Sequence, residues 1–126
     1  GLFWAPDSHR LASFADGKLK KIEVSGGGAQ ILGDAPLISA PGAWNRDGVI
    51  LLAGSIGSGA GIVRTPDSGG ATQPVLALDT SKNPVQFFPR FLPDGHHFLF
   101  HSVAPLQTMK EAFTSRLSIQ NPRTSY

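Results

Sequence analysis

Ser55, Asp79 and the histidines His96, His97 and His101 are the residues whose types and order could carry out chemistry. Ser55 sits in Ala53-Gly54-Ser55-Ile56-Gly57, directly after an apolar strand-like run at 49–52. This is one position away from a Gly-x-Ser-x-Gly nucleophile elbow, with Ala53 where the first Gly is required. An acid and then histidines follow in the order an α/β-hydrolase uses, so Ser55 would be the nucleophile, a His the base and Asp79 its orienting partner. An elbow must run straight into a helix, and Gly57-Ser58-Gly59-Ala60-Gly61 is a poor helix start. A chain of 126 residues is also too short for the parallel sheet that supports such a triad. The residue pattern therefore argues against a hydrolase within this chain.

The other chemical motifs are weaker. The stretch from Gly54 to Gly61 lacks the G-x-G-x-x-G order, the lysine of a P-loop and a following helix, so it reads as a hairpin loop rather than a phosphate cradle. His97 and His101 share one face of a strand but stand about 13 Å apart at 3.3 Å per residue. Two ligands to one ion need nitrogens within about 2 Å of it, so no metal site is expected. His96 and His97 are expected to be solvated and His101 half-buried. Lys18, Lys20 and Lys21 are too few for a phosphate-binding stripe and read as a solvated strand face, so no nucleic-acid partner is expected.

Composition sets the frame that must position these residues. Charged residues make up 16% and hydrophobic ones 40%, with a formal net charge of +2. Gly and Pro fill 25 of the 126 positions, which leaves little room for long helices. There is no Cys, which excludes a disulfide scaffold and a thiolate metal site without fixing the compartment. No run of 18 apolar residues is present, so no helical membrane span is expected. The chain opens at Gly1 rather than Met and stops inside an incomplete repeat, which points to a piece of a longer protein.

The repeat is the strongest signal. Trp4-Ala5-Pro6-Asp7-Ser8, Trp44-Asn45-Arg46-Asp47-Gly48 and Phe91-Leu92-Pro93-Asp94-Gly95 each read aromatic, two variable residues, Asp, small residue. The Asp-to-Asp steps of 40 and 47 residues bracket the 40–45 of four-stranded propeller blades. Each signature precedes an apolar strand, at 11–14, 49–53 and 98–100. Further strands are expected at 18–24 and 61–65, ending in Ser25-Gly26-Gly27 and Ser68-Gly69-Gly70, then at 29–32 and 72–78. In the third unit 113–119 supplies a third strand, with no Gly-Gly and no fourth. No segment of twelve or more residues keeps a helical period. The expected fold is all-β: a β-propeller fragment of about three four-stranded antiparallel blades, the third incomplete, at about 1–35, 36–79 and 80–120, with 121–126 as a tail.

Turn chemistry explains the residue types. Pro6 and Pro93 preset φ, Asp7, Asp47 and Asp94 accept backbone N–H bonds, and Gly48 and Gly95 take φ > 0. Ser8 stands where the other units have Gly, and the second turn is about two residues shorter before Val49. Trp4, Trp44 and Phe91 are expected to be equivalent wedges packed between neighbouring sheets.

Phe3-Trp4-Ala5-Pro6-Asp7-Ser8 and Phe91-Leu92-Pro93-Asp94-Gly95 resemble the W-S-P-D-G signature of TolB-like, WD-repeat-like β-propeller repeats. Together with Phe14-Ala15-Asp16-Gly17-Lys18-Leu19-Lys20-Lys21-Ile22 and Trp44-Asn45-Arg46-Asp47-Gly48-Val49-Ile50-Leu51, they look most like the propeller that follows a bacterial serine/threonine protein kinase domain. The resemblance covers roughly residues 1–105. It implies a non-catalytic binding or sensing module, placed outside the cytoplasmic membrane and joined to a kinase by a membrane span. The kinase's own motifs are absent here, so no catalytic residue carries over. No cofactor, metal or direct membrane contact is expected.

Propellers close with about 4–8 blades, so three would need the remaining blades of a parent chain or a second copy in a head-to-tail ring. The rival reading is the propeller part of a larger hydrolase such as a serine peptidase, with its catalytic domain downstream. The ligand, whether protein, peptide or small molecule, is not legible. Loops such as 54–61 and 79–86 are candidates only because connecting loops tend to carry function.

Overall fold

The computed structural model of the chain describes residues 2–34, 42–53, 61–75, 85–103 and 115–120. The expectations for Ser55, Asp79, both unit boundaries and the tail fall outside these residues. Eleven strands are described: β1 (Leu2–Trp4), β2 (Arg10–Ala15), β3 (Lys18–Glu23), β4 (Gln30–Asp34), β5 (Ala43–Trp44), β6 (Val49–Ala53), β7 (Ile62–Pro66), β8 (Gln73–Pro74), β9 (Val85–Phe91), β10 (Phe98–Val103) and β11 (Ser115–Gln120). They form three antiparallel meanders in chain order, β1 to β4, β5 to β8 and β9 to β11. The domain is all-β, and among the described residues no helix is long and apolar enough to cross a membrane.

Local chemistry shapes each meander. Asp16 and Gly17, at φ 55° and 72°, form the two-residue turn between β2 and β3, the geometry that matches the twist of paired strands. Gly26 and Gly27 after β3, and Gly69 and Gly70 after β7, all take positive φ. The expected Ser-Gly-Gly turns thus serve the same purpose in both sheets.

The three sheets stack face to face with the second in the middle. Period-2 alternation sends Ile50 and Leu52 of β6 one way and Leu51 the other. Ile50, Leu52, Trp44 and Val63 pack on Phe3, Ala12, Leu19 and Leu32 of the first sheet. Leu51, Ile62 and Val75 pack on Phe98 and Phe100 of the third, with Phe91 alongside. The continuous apolar run of β6 follows from this position, because a strand covered on both faces has no polar side to show. Each fully buried Leu, Ile or Phe contributes about 1.5–3 kcal/mol, so the middle sheet carries much of the stabilisation.

Pairing registers show how the units correspond. Trp4, Leu11 and Ile22 form one cross-strand row in the first sheet, Trp44, Ile50 and Thr65 the matching row in the second, and Phe91 and Phe98 in the third. Trp44 is buried and meets Phe3 edge-on at 6.4 Å, while Phe91 is half-buried against Phe98 at 6.3 Å. Trp4 departs from the expected role of wedge: it is 54% exposed, and Phe3 enters the core in its unit. The cause is positional. Trp4 projects from the first sheet's outer face, and no described sheet stands in front of it. Leu2 and Ile31 are exposed on that same face.

Candidate functional site

The signature residues build the turn after each sheet's first strand. Ser8, Gly48 and Gly95 hold φ of 60°, 82° and 74° and donate their N–H to the carbonyls of Ala5, Asn45 and Leu92. Asp7 accepts from His9 N at 2.9 Å, and Asp94 accepts from His96 N and His97 N at 2.9 and 3.0 Å. Asp47 does not repeat this role. The second turn closes from Asn45 to Val49, one residue shorter than Ala5 to Arg10 and Leu92 to His97, rather than about two. Asn45 Oδ1 therefore takes over, accepting from Asp47 N at 3.0 Å and Val49 N at 2.9 Å. Pro6 and Pro93 are exposed at the turn tips.

These turns also join the sheets. Asn45 Nδ2 donates to Gly95 O at 2.9 Å and Arg46 to Pro93 O at 3.4 Å, while Asp47 faces His96 at 3.6 Å. His97 binds the Asp94 carboxylate through Nδ1. That bond, followed by the two backbone N–H bonds, holds the Asp94 carboxyl well below its ordinary value. The N–H of His9 lowers Asp7, and the Lys18 ammonium lowers Asp34.

Between the first and second sheets the polar centre is Asp67, which the sequence did not single out. Its Oδ2 takes Arg10 Nη1 at 3.3 Å and Trp44 Nε1 at 3.1 Å, and its carbonyl takes Lys21 Nζ at 2.7 Å. Arg10 also pairs with Asp7 at 3.3 Å and lies 4.9 Å over the Trp44 ring. The lysine cluster is thus divided. Lys18 and Lys20 pair with Asp34 and Asp16, whereas Lys21 points into the inter-sheet contact instead of forming part of a solvated face. Asp67 occupies the place of Val24 in the first unit, each donating its N–H across to the preceding turn, at Gly48 O and His9 O. Its acidity beside a Gly-Gly turn was the one available signal.

The first strands of the three sheets converge on a groove of about 930 Å³. Leu2, Phe3 and Trp4 come from β1, Gly42 to Trp44 from β5 and its approach, and Phe88 to Phe91 from β9. Leu99 to His101 of β10 complete the wall. Leu99 pairs with Arg90 but His101 with Phe87, so Phe88 and Pro89 bulge out of β9. Pro89, with no N–H to give a ladder, suits such a bulge. Phe88 pays with φ 55°, which a bulky residue rarely adopts, and its ring meets His101 edge-on at 5.9 Å. Arg90 is exposed in the same wall.

The expected chemical residues do not assemble into a catalytic set among the described residues. Ser55 and Asp79 lie outside them, His96 and His97 serve the third turn, and His101 lines the groove. No three His, Asp or Glu side chains are grouped to hold a metal among those described. Trp4, Phe88, Arg90 and His101 are instead what the fold brings together. Phe88 was missed because nothing in an apolar strand announces a bulge except the Pro that follows it. Compared with known proteins, the chain matches no family model and no curated protein.

Proposed function

We propose that the chain is part of a β-propeller that acts as a non-catalytic binding or sensing module. The module is of the kind carried outside the membrane by bacterial serine/threonine protein kinases. One observation supports the propeller reading above the rest. The row of exposed Trp4 and half-buried Leu11 and Ile22 occupies the positions of Trp44, Ile50 and Thr65, the row from which Trp44 and Ile50 pack on the first sheet. An apolar face built to the same plan is a docking face for another blade of the same repeat. The kinase association rests on the resemblance of the signature strings, and the binding role on the groove where the first strands meet.

Reading the coding sequence on both sides of residues 1 and 126 tests this. Further aromatic-x-x-Asp-Gly repeats, with a membrane span and kinase motifs upstream, are expected. An α/β-hydrolase sequence downstream would overturn the kinase assignment in favour of a peptidase. Start and stop codons flanking the two ends would overturn the larger propeller in favour of self-assembly.

A further inference from the structure

We infer that the blade covering the outer face of the first sheet carries a small residue directly before its signature aromatic and an apolar residue where its signature turn closes. This rests on the propeller reading and names the kind of partner its docking face fits.

The two described junctions show what sets the match. At the first, the first sheet presents Phe3, the residue before its aromatic, and Arg10, the residue that closes its turn. The second sheet receives them with Gly42 and Asp67. A Cβ at Gly42 would meet Phe3 Cζ at 2.9 Å, and Asp67 Oδ2 takes the Arg10 guanidinium at 3.3 Å. At the second junction the same two places of the second sheet hold Ala43 and Val49. Both pack into the apolar contact with Phe98 and Phe100. A large residue with a cation thus meets a glycine with a carboxylate, and a small residue with an apolar one meets an apolar sheet.

The outer face of the first sheet calls for the second combination. Leu2 stands two residues before Trp4, as Gly42 stands before Trp44, and it is exposed. Val24, also exposed, takes the place of Asp67. A Phe at the place of Phe3 would meet Leu2 instead of a bare glycine, and overpacking such a contact is destabilising. An Arg at the place of Arg10 would be buried against Val24 with no carboxylate to receive it. An apolar residue there gains by covering Val24.

A second copy of the chain does not meet these requirements. Its third sheet has Arg90 before Phe91 and His97 where the turn closes, both exposed. Alternation turns Arg90 away from the second sheet, since its strand neighbour Phe91 packs toward it. Head-to-tail stacking would set that guanidinium against Leu2, and an imidazole tied to Asp94 against Val24. The occupant is therefore a further unit of the parent chain.

The test begins with the repeat immediately upstream of residue 1, or the last one downstream where none precedes. Gly, Ala or Ser before its aromatic and Val, Ile or Leu at its turn-closing position are expected. A bulky residue at the first place or a charged one at the second would overturn the inference and leave the propeller standing. Absence of any further repeat would overturn both.

In the chain extended by that repeat, Val24→Asp should raise the unfolding equilibrium constant in urea about tenfold or more. In the 126-residue chain the same change should stay within about twofold, because Val24 is exposed there. Arg at the turn-closing position of the added repeat should restore the extended Val24→Asp chain, since it rebuilds the pairing of Arg10 with Asp67. No loss in the extended chain, or an equal loss at both lengths, would overturn the proposal. So would sedimentation of the 126-residue chain as a discrete dimer that Val24→Asp dissociates, which would assign the face to a second copy.

Discussion

The indole N–H of Trp44 donates to Asp67 Oδ2 at 3.1 Å, and the Arg10 guanidinium reaches that same oxygen at 3.3 Å from the neighbouring sheet. One carboxylate oxygen thus ties the first strand of the middle sheet to its last hairpin and clamps both to the first sheet. The site is half-buried, so the bonds are screened less than surface pairs and more than core ones.

Asp67→Ala is expected to destabilise the fold by about 1–3 kcal/mol, since it leaves the Trp44 donor unpaired and Arg10 with only Asp7. Asp67→Asn, which keeps an acceptor and drops the charge, should cost less. A double-mutant cycle with Arg10→Met in urea unfolding should return a coupling of about 0.5–1.5 kcal/mol. Strict additivity would mean the pair is incidental.

Ser8→Gly should raise stability by about 1 kcal/mol, because Ser8 holds φ 60° where the other two turns have Gly. Gly48→Ala and Gly95→Ala should both lower it. Gly48→Ala is expected to be worse, since a Cβ there meets Asp67 Oδ1 at 2.9 Å, whereas at Gly95 the nearest atom is Arg46 Nε at 3.9 Å. Thermal melts of the three variants give the ranking, and a destabilised Ser8→Gly would contradict the turn assignment.

Trp44→Ala should cost about 3–5 kcal/mol and Trp4→Ala less than about 1 kcal/mol, although both stand at the same place in the repeat. Denaturant midpoints would show the difference. Equal losses would mean that Trp4 is covered in solution.

Acid should weaken the fold through Asp94, Asp7 and Asp34. Each carboxyl is held below its ordinary value of 3.8 in the folded state, Asp94 furthest, by the His97 ring and then by backbone N–H groups. Their contribution is present above the unfolded value and lost as pH falls through the folded one. Stability should therefore hold down to about pH 4 and drop below it. Asp94→Asn should flatten that acid limb in urea midpoints measured between pH 7 and pH 2.5, and an unchanged limb would remove Asp94 from the account.

Much of the architecture was legible because it depends on local rules. The Asp16-Gly17 turn, the Gly-Gly turns and the apolar run at 49–53 each state a backbone conformation or a burial in a few consecutive residues. The strands β2, β3, β4, β6, β7 and β10 lie where the pattern put them, β6 with both ends unchanged and the others with ends moved by at most three residues. The exchange of Asp47 for Asn45 was not legible. A turn shortened by one residue changes which side chain can reach the amides, and that depends on closure geometry rather than residue type.

Residue order alone determined that this chain is a series of antiparallel meanders punctuated by aromatic-Asp-small turns, because period-2 alternation and turn propensities act within a few residues. Tertiary structure alone decided the fates of residues that look equivalent in the repeat. Trp44 is buried because a sheet stands in front of it, and Trp4 is exposed because none is described there. Asp67 becomes an inter-sheet clamp because Arg10, Lys21 and Trp44 meet at it from positions 23 to 57 residues away. Burial and charge pairing are properties of what lies opposite a face, and no window of consecutive residues contains that information.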